Sequence, residues 1–316
     1  MEHSVLITGG AGFLGGYLAR DLARRGERVV VYDNFTASLP ENLTASHDRI
    51  KLVQGDTLDL SFLIKTMQAE NVNRIIHAAA IVGSPASIPR PVFTARVNIE
   101  GTVNVLEASK ILGIERVLDI SSEEVYGPFR YEPADEDHPF FPTMPYAVTK
   151  LAAERYEQFY HEFRGLDIVI IRTSWVYGPG LPRSRPPKTF IENSLKGIPT
   201  QMKKGGNQRV DHTHIEDFVQ GAVRAFEVKE PKNRIFNISS GTGHTFEEMA
   251  RMVEEIVPGV EITVGSGLLE YAEGIDAPQK GALSIKRAQS ELGYQPKYHL
   301  YNGLAKYADS IREGRG

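Results

Sequence analysis

The sequence predicts an α/β protein, a doubly wound parallel sheet followed by a smaller C-terminal substrate-binding part. Three observations carry this. Apolar runs of strand length alternate with amphipathic helical stretches through the first half of the chain. Those runs, VLIT (Val5–Thr8), VVVY (Val29–Tyr32) and RIIHAAA (Arg74–Ala80), are nearly continuous, as strands covered on both faces require. A glycine-rich turn, TGGAGFLG (Thr8–Gly15), joins the first strand to the first helix.

Taken in order, Ser4–Thr8 reads as a strand, Phe13–Arg25 as a helix and Arg28–Tyr32 as the second strand. Ile50–Gln54, Arg74–His77 and Arg116–Ser121 follow as strands three to five, with helical patterns over Asp59–Glu70 and Asn98–Leu112. Such strand–helix–strand units close right-handed and give a parallel sheet. A long helix from Tyr146 to Arg164 then leads into a buried strand, Ile168–Arg172. The stretch Gly178–Lys188 (GPGLPRSRPPK) reads as a loop, and beyond it only Ile235–Ile238 stands out as a further sheet strand. The expected division is a nucleotide-binding domain over 1–174, with returns near 211–240, and a mainly substrate-binding part over 175–316.

The 316 residues are 41% hydrophobic and 24% charged, ordinary for a globular chain. A net charge of −4 gives no electrostatic reason for a nucleic-acid or anionic-membrane partner, and the apolar runs are too short to span a bilayer. MEHSVLITGG leads into a strand rather than a signal peptide. The absence of cysteine excludes disulfides, thiolate metal sites and cysteine nucleophiles, so a cytoplasmic protein is expected. The nine histidines contain no HExxH; His212 and His214 are two apart, which in a strand would place them on one face, and they read as structural or substrate-facing, with no metal expected.

Gly9, Gly12 and Gly15 have GxxGxxG spacing between strand and helix. The first permits the tight turn, the second lets backbone approach a pyrophosphate, and the third lets helix and strand pack closely. The amides opening the helix at Phe13 and Leu14 then face phosphates. In this Rossmann arrangement Asp33, in YDN with Asn34, bonds the adenosine ribose and repels a 2′-phosphate, favouring NAD over NADP. The plain alternative is a solvated aspartate at a strand end. Asp56 and Thr57 after the third strand, Ala78, Ala79 and Ala80 after the fourth, and Thr173 after the sixth complete the expected cofactor surface.

Tyr146 and Lys150 form a YxxxK that sets phenol and ammonium on one helix face. A tyrosine titrates at about 10 when unperturbed; a neighbouring ammonium and an oxidised nicotinamide favour its phenolate. Tyr146 follows Ser122 of SSEEVYG (Ser121–Gly127) by 24 residues. Together, TGGAGFLG, YDN, GD, HAAA, SSEEVYG, YAVTK and VYGPG resemble the extended short-chain dehydrogenases/reductases, the NAD-dependent epimerase/dehydratase group that includes UDP-glucose 4-epimerases. The resemblance runs from residue 4 to about residue 300. It implies a catalytic Ser122–Tyr146–Lys150 triad acting with NAD on a sugar or sugar-nucleotide through a keto intermediate. It also implies that Asn98 supports the active-site helix, and that the helices over 98–112 and 146–164 pair two subunits as a homodimer, although their apolar faces could instead only cover the sheet.

Glu124 stands where the family's dehydratases and decarboxylases carry a glutamate, and Glu123 where 4,6-dehydratases carry an aspartate; the plain alternative is that one of the two simply faces solvent beside the cleft. Trp175 replaces a usual diphosphate-binding asparagine, and Val210 an arginine beside Arg209. Arg183, Arg185 and Lys188 are candidate substitutes from the loop, or merely solubilise it. Four functions follow as expectations: a nucleotide-sugar epimerase; a dehydrogenase of a small polyol, sugar acid or amino acid; a 4,6-dehydratase or decarboxylase; and a non-enzymatic NAD sensor or scaffold.

Overall fold

The computed structural model describes residues 2–37 and 48–314. Its strands are β1 (Ser4–Thr8), β2 (Arg28–Asp33), β3 (Ile50–Gln54), β4 (Val72–His77), β5 (Arg116–Ser122), β6 (Ile168–Thr173) and β7 (Trp175–Tyr177). They continue with β8 (Thr200–Met202), β9 (Arg209–His214), β10 (Ile235–Ile238), β11 (Gly243–Thr245), β12 (Ile262–Val264), β13 (Glu270–Ala272) and β14 (Ile275–Asp276). The main sheet has the order β10-β6-β5-β4-β1-β2-β3. Strand order reverses between β1 and β4, and beside such a switch the carboxyl ends of the strands open a crevice. Thr8 stands level with Tyr32 on one side and His77 on the other, so three strand tips meet there.

Helices cover this sheet because their apolar stripes match its continuous apolar strands. Leu6, Val30, Ile75, Val117 and Ile168 pack with Leu63, Met67, Val105 and Leu106 from the helices Leu60–Ala69 and Gly101–Leu112. The helix Pro145–Arg164 opens with Pro at its first turn and stops at Gly165, whose φ of 70° is the left-handed conformation that ends helices.

The chain forms two compact units. The first comprises Met1–Val125, Pro142–Arg172 and Ala222–Phe236; the second comprises Tyr126–Phe141, Thr173–Gly221 and Asn237–Gly316. Residues 126–141 thus differ from the sequence expectation. They pack with the second unit, where Tyr126 Oη donates to Asn237 Oδ1 at 2.7 Å and Ala134 bridges Leu283. The return to the first unit is likewise shorter than 211–240, because β9 pairs inside the second unit's own sheet, β11-β9-β7. That sheet, the pair β12-β8 and the hairpin β13-β14 also correct the expectation of one clear late strand. They escape periodicity because they are short and polar. RVDHTH of β9 buries Asp211, whose carboxylate accepts from Ser239 Oγ, Ser240 N, Gly241 N and Leu283 N at 2.9–3.1 Å.

Three histidines are neutral in the fold. Burial, with Lys150 adding to it, pushes His77 down to about 3; burial and Arg185 push His212 down to about 3; burial lowers His214 to about 4. The unfolded chain protonates these rings below about 6.5, so it binds more protons below that pH. Their stabilisation is fully present above 6.5 and is lost as pH falls. Each is expected to cost about 2 kcal/mol by pH 5. Thermal melts should therefore fall steeply between pH 7 and pH 5, and His212→Leu should make that slope shallower.

Candidate active site

β5 delivers Ser122 to the carboxyl edge of the sheet, where a short 3₁₀ turn, Glu123–Tyr126, follows at once. Ser122 Oγ accepts from Glu124 N at 3.2 Å, which leaves the hydroxyl proton to donate elsewhere. Tyr146 and Lys150 occupy one buried face of the helix Pro145–Arg164. Tyr146 N donates to Ser87 Oγ at 3.1 Å, which pins the start of that helix to the segment after β4. Lys150 is 3% exposed, and its Nζ lies 3.7 Å from Asp119 Oδ2 on β5. Burial disfavours its charge, but the negative charge around it, that of Asp119 foremost, outweighs burial and holds its pKa above the ordinary lysine value.

Both glutamates of SSEEVYG are buried, against the plain alternative that one faces solvent. Glu124 Oε2 accepts from Ser84 Oγ at 3.1 Å, so a carboxylate is fixed two residues from Ser122. Asn98 is fully inside. Its Oδ1 accepts from Ile81 N at 2.8 Å, and its Nδ2 donates to Ile81 O at 3.1 Å and Thr149 Oγ1 at 3.0 Å. It therefore braces the segment after β4 against the residue before Lys150.

Around the β1–β4 switch, backbone meets backbone. A Cβ on Gly9, which has φ +64°, would stand 2.7 Å from Ala79 Cα, and one on Gly15 would stand 2.4 Å from Gly9 O. At Gly12 a Cβ would meet only Gly9 O, at 3.2 Å. Gly12 caps the helix Phe13–Arg24 with no side-chain hydrogen bond and no acidic residue in the first turn. The helix start is thus a cradle with uncapped amides at Phe13 and Leu14, suited to phosphate. Asp33 Oδ2 accepts from Ala11 N at 3.0 Å and Oδ1 from Phe35 N at 2.8 Å, holding the carboxylate beside this loop, where it can face ribose hydroxyls. Asn34 Nδ2 donates to Asp56 Oδ2 at 3.0 Å, joining the tips of β2 and β3, while Thr57 is buried against Gly101. Ala78 N donates to Thr8 O at 3.0 Å, and Ala80 continues that packed segment. These residues fit a dinucleotide.

The sequence matches the NAD dependent epimerase/dehydratase family over residues 5–239. The chain belongs to that family. A UDP-glucose 4-epimerase of Mycolicibacterium smegmatis is 30% identical over 97% of this chain and 98% of its own. UDP-glucuronic acid decarboxylase 3 of Arabidopsis thaliana is 31% identical over 98% of this chain and 89% of its own. The Thermus thermophilus UDP-glucose 4-epimerase, crystallised with NAD, has a TM-score of 0.85 at 28% identity, covering 98% of this chain and 99% of that one.

Within this epimerase/dehydratase chain, the candidate substrate residues lie in the second unit, on and after β7. Arg185 Cζ sits 4.6 Å from the centroid of the Trp175 ring, which also meets His212 and Phe246 at 5.9 and 5.8 Å. Lys188 Nζ donates to Leu181 O at 2.6 Å and lies 3.6 Å from Glu192, and Arg209 pairs with Glu132 at 3.1 Å. Arg183 is half-buried, and the Thr173 hydroxyl has no hydrogen-bond partner among the described residues. Asp119, Glu154, Glu157, Ser84 and Ser87 are the residues that motif reading passed over. Asp119 interrupts the apolar run VLDIS, and both glutamates fall on the stripe of Lys150, which is the signal that marks them.

The cradle makes two glycines separable. Gly15→Ala, with no room for a methyl group, is expected to lower the melting temperature and abolish NAD binding. Gly12→Ala should keep the fold and weaken NAD on the order of tenfold. Calorimetric titration alongside melts checks both.

Proposed function

We propose that the protein is an NAD-dependent nucleotide-sugar 4-epimerase of the UDP-hexose type, acting in the cytoplasm through a transient keto sugar. The observation that carries this is the placement of Ser122 at the tip of β5 and Tyr146 above the buried Lys150, in the same compact unit as the glycine cradle. The sugar-nucleotide epimerases among its relatives support the substrate class.

When bound, NAD supplies the hydride acceptor, and on the return step the hydride donor, at the carbinol carbon. Tyr146, as phenolate, takes the proton of the sugar hydroxyl as its C–O bond becomes a carbonyl. Ser122 donates a hydrogen bond to the same oxygen, stabilising it while its charge changes. Lys150 keeps positive charge beside the phenol and so favours its ionised form. The keto sugar then presents its other face, and Tyr146 returns the proton to the oxygen. The overall reaction is redox-neutral. Wild-type protein with NAD should interconvert UDP-glucose and UDP-galactose, or the corresponding UDP-uronates, without accumulating NADH. Tyr146→Phe should slow this by about 10²–10⁴-fold. Chromatography of the sugar nucleotides reads both results; no epimer from any UDP-sugar would sink the reading.

The buried Glu124 favours a second reading, in which it takes the proton next to the new carbonyl while the neighbouring carbon loses water, or holds a uronate carboxyl that leaves as carbon dioxide. The product then differs in mass from the substrate. Mass spectrometry of the UDP-glucuronate reaction separates the two readings.

We also infer a homodimer. Val148, Tyr156, Phe159 and Phe163 of the helix Pro145–Arg164, with Ile111 of the helix Gly101–Leu112, leave large apolar side chains 45–72% exposed. Sedimentation should give a dimer, and Phe159→Glu with Phe163→Glu a monomer.

A further inference from the structure

The face of the helix Pro145–Arg164 turned toward the sheet would ordinarily be apolar. Here it carries Tyr146, Lys150, Glu154 and Glu157, at successive spacings of four, four and three residues, all buried. The strands add Asp119 and Ser121 from β5 and Arg172 from β6, buried as well. Glu154 is fully engaged: it accepts from Arg172 Nε at 3.0 Å and Nη2 at 2.7 Å and from Ser121 Oγ at 2.5 Å. The carboxyl oxygens of Glu157, by contrast, receive no hydrogen bond among the described residues, and those of Asp119 have only the Lys150 ammonium, at 3.7 Å, and the Ile120 amide to favour their charge.

With Arg172 matched by Glu154, one buried cation, Lys150, remains against two buried carboxyl groups. Two carboxylates sharing one cation in a low-dielectric site do not both ionise. Asp119 is the one in ion-pair range of the ammonium, at 3.7 Å. We propose that Asp119 is the anion that keeps Lys150 charged, and that Glu157 keeps its proton behind it, so that Asp119, through Lys150, sets the pH at which Tyr146 becomes a base. Asp119 is thus a positioning residue, acting on Tyr146 through Lys150.

The surrounding charges agree. Burial raises both carboxyl groups, Asp119 to about 6 and Glu157 well above its ordinary value, with Asp119 itself adding to the rise at Glu157; Lys150 opposes both shifts. His77 on β4 also feels Lys150 and is neutral, with Nδ1 2.6 Å from Thr8 Oγ1 and Nε2 3.0 Å from Thr102 Oγ1. The titratable and charged groups around Lys150 are therefore Tyr146, Glu154 and Glu157 of its own helix, Asp119 of β5 and His77 of β4, with Arg172 of β6 beyond Glu154.

This inference rests on the assignment of Tyr146 and Lys150 above, and its test needs no turnover. Ultraviolet difference titration of the NAD-saturated protein follows tyrosinate, and the step missing from Tyr146→Phe belongs to Tyr146. Asp119→Asn removes the anion that keeps Lys150 charged, so the phenolate loses its cation and its step should move to higher pH by about one unit. Glu157→Gln replaces a neutral acid by a neutral amide, so its step should stay where the wild type has it. An unmoved step in a folded Asp119→Asn overturns the proposal, and so does a moved step in Glu157→Gln, which decides the matter alone if the asparagine variant does not fold. A wild type without the Tyr146 step overturns the base assignment together with this inference. Failure to turn over any sugar nucleotide removes the substrate reading and leaves this one standing.

Discussion

A lysine ammonium held inside the first unit is the constraint around which the catalytic region is built. Lys150 is almost wholly buried, and an isolated charge there would cost several kcal/mol. The interior therefore supplies an anion, Asp119, from the middle of the buried run VLDI of β5. Adding that acid brings further polar groups with it. Glu154 answers Arg172 and Ser121, and Glu157 completes a polar seam between the helix Pro145–Arg164 and the strands beneath. Such a seam is less favourable than packed leucines, but it fixes the position and charge of the group beside Tyr146.

The cofactor cradle meets a different demand, close approach of backbone to backbone. The tips of β1 and β4 touch through Gly9 and Ala79, where no side chain fits. Glycine and alanine there leave helix amides uncapped and strand ends bare, which suits an anionic ligand. Asn98 ties the two demands together, because one amide holds both the segment that follows β4 and the helix bearing Lys150.

The second unit solves its own polar problem with Asp211, whose carboxylate gathers backbone and hydroxyl donors from segments distant in sequence. On its β7–β9 surface, Trp175 is framed by Arg185, His212 and Phe246.

Local sequence determined the strands β1–β6, the helices between them and the glycine turn, because each is specified by periodicity or by backbone geometry that few residues permit. It also marked Ser122, Tyr146 and Lys150 through their spacing. Tertiary structure alone decided the rest. Residues 126–141 join the second unit through Tyr126 and Asn237, over a hundred positions apart. The strands β7, β8 and β11–β14 have too few residues for any period to show, and β9, RVDHTH, buries polar side chains that read as exposed in the chain. Whether Glu123 and Glu124 face solvent or interior depends on what packs over the turn after β5, and Ser84 belongs to another segment. Asp119 and Glu157 look like isolated acids in the chain. Only the fold makes them neighbours of one buried cation, because charge balance in an interior is a property of the volume enclosed and not of sequence order.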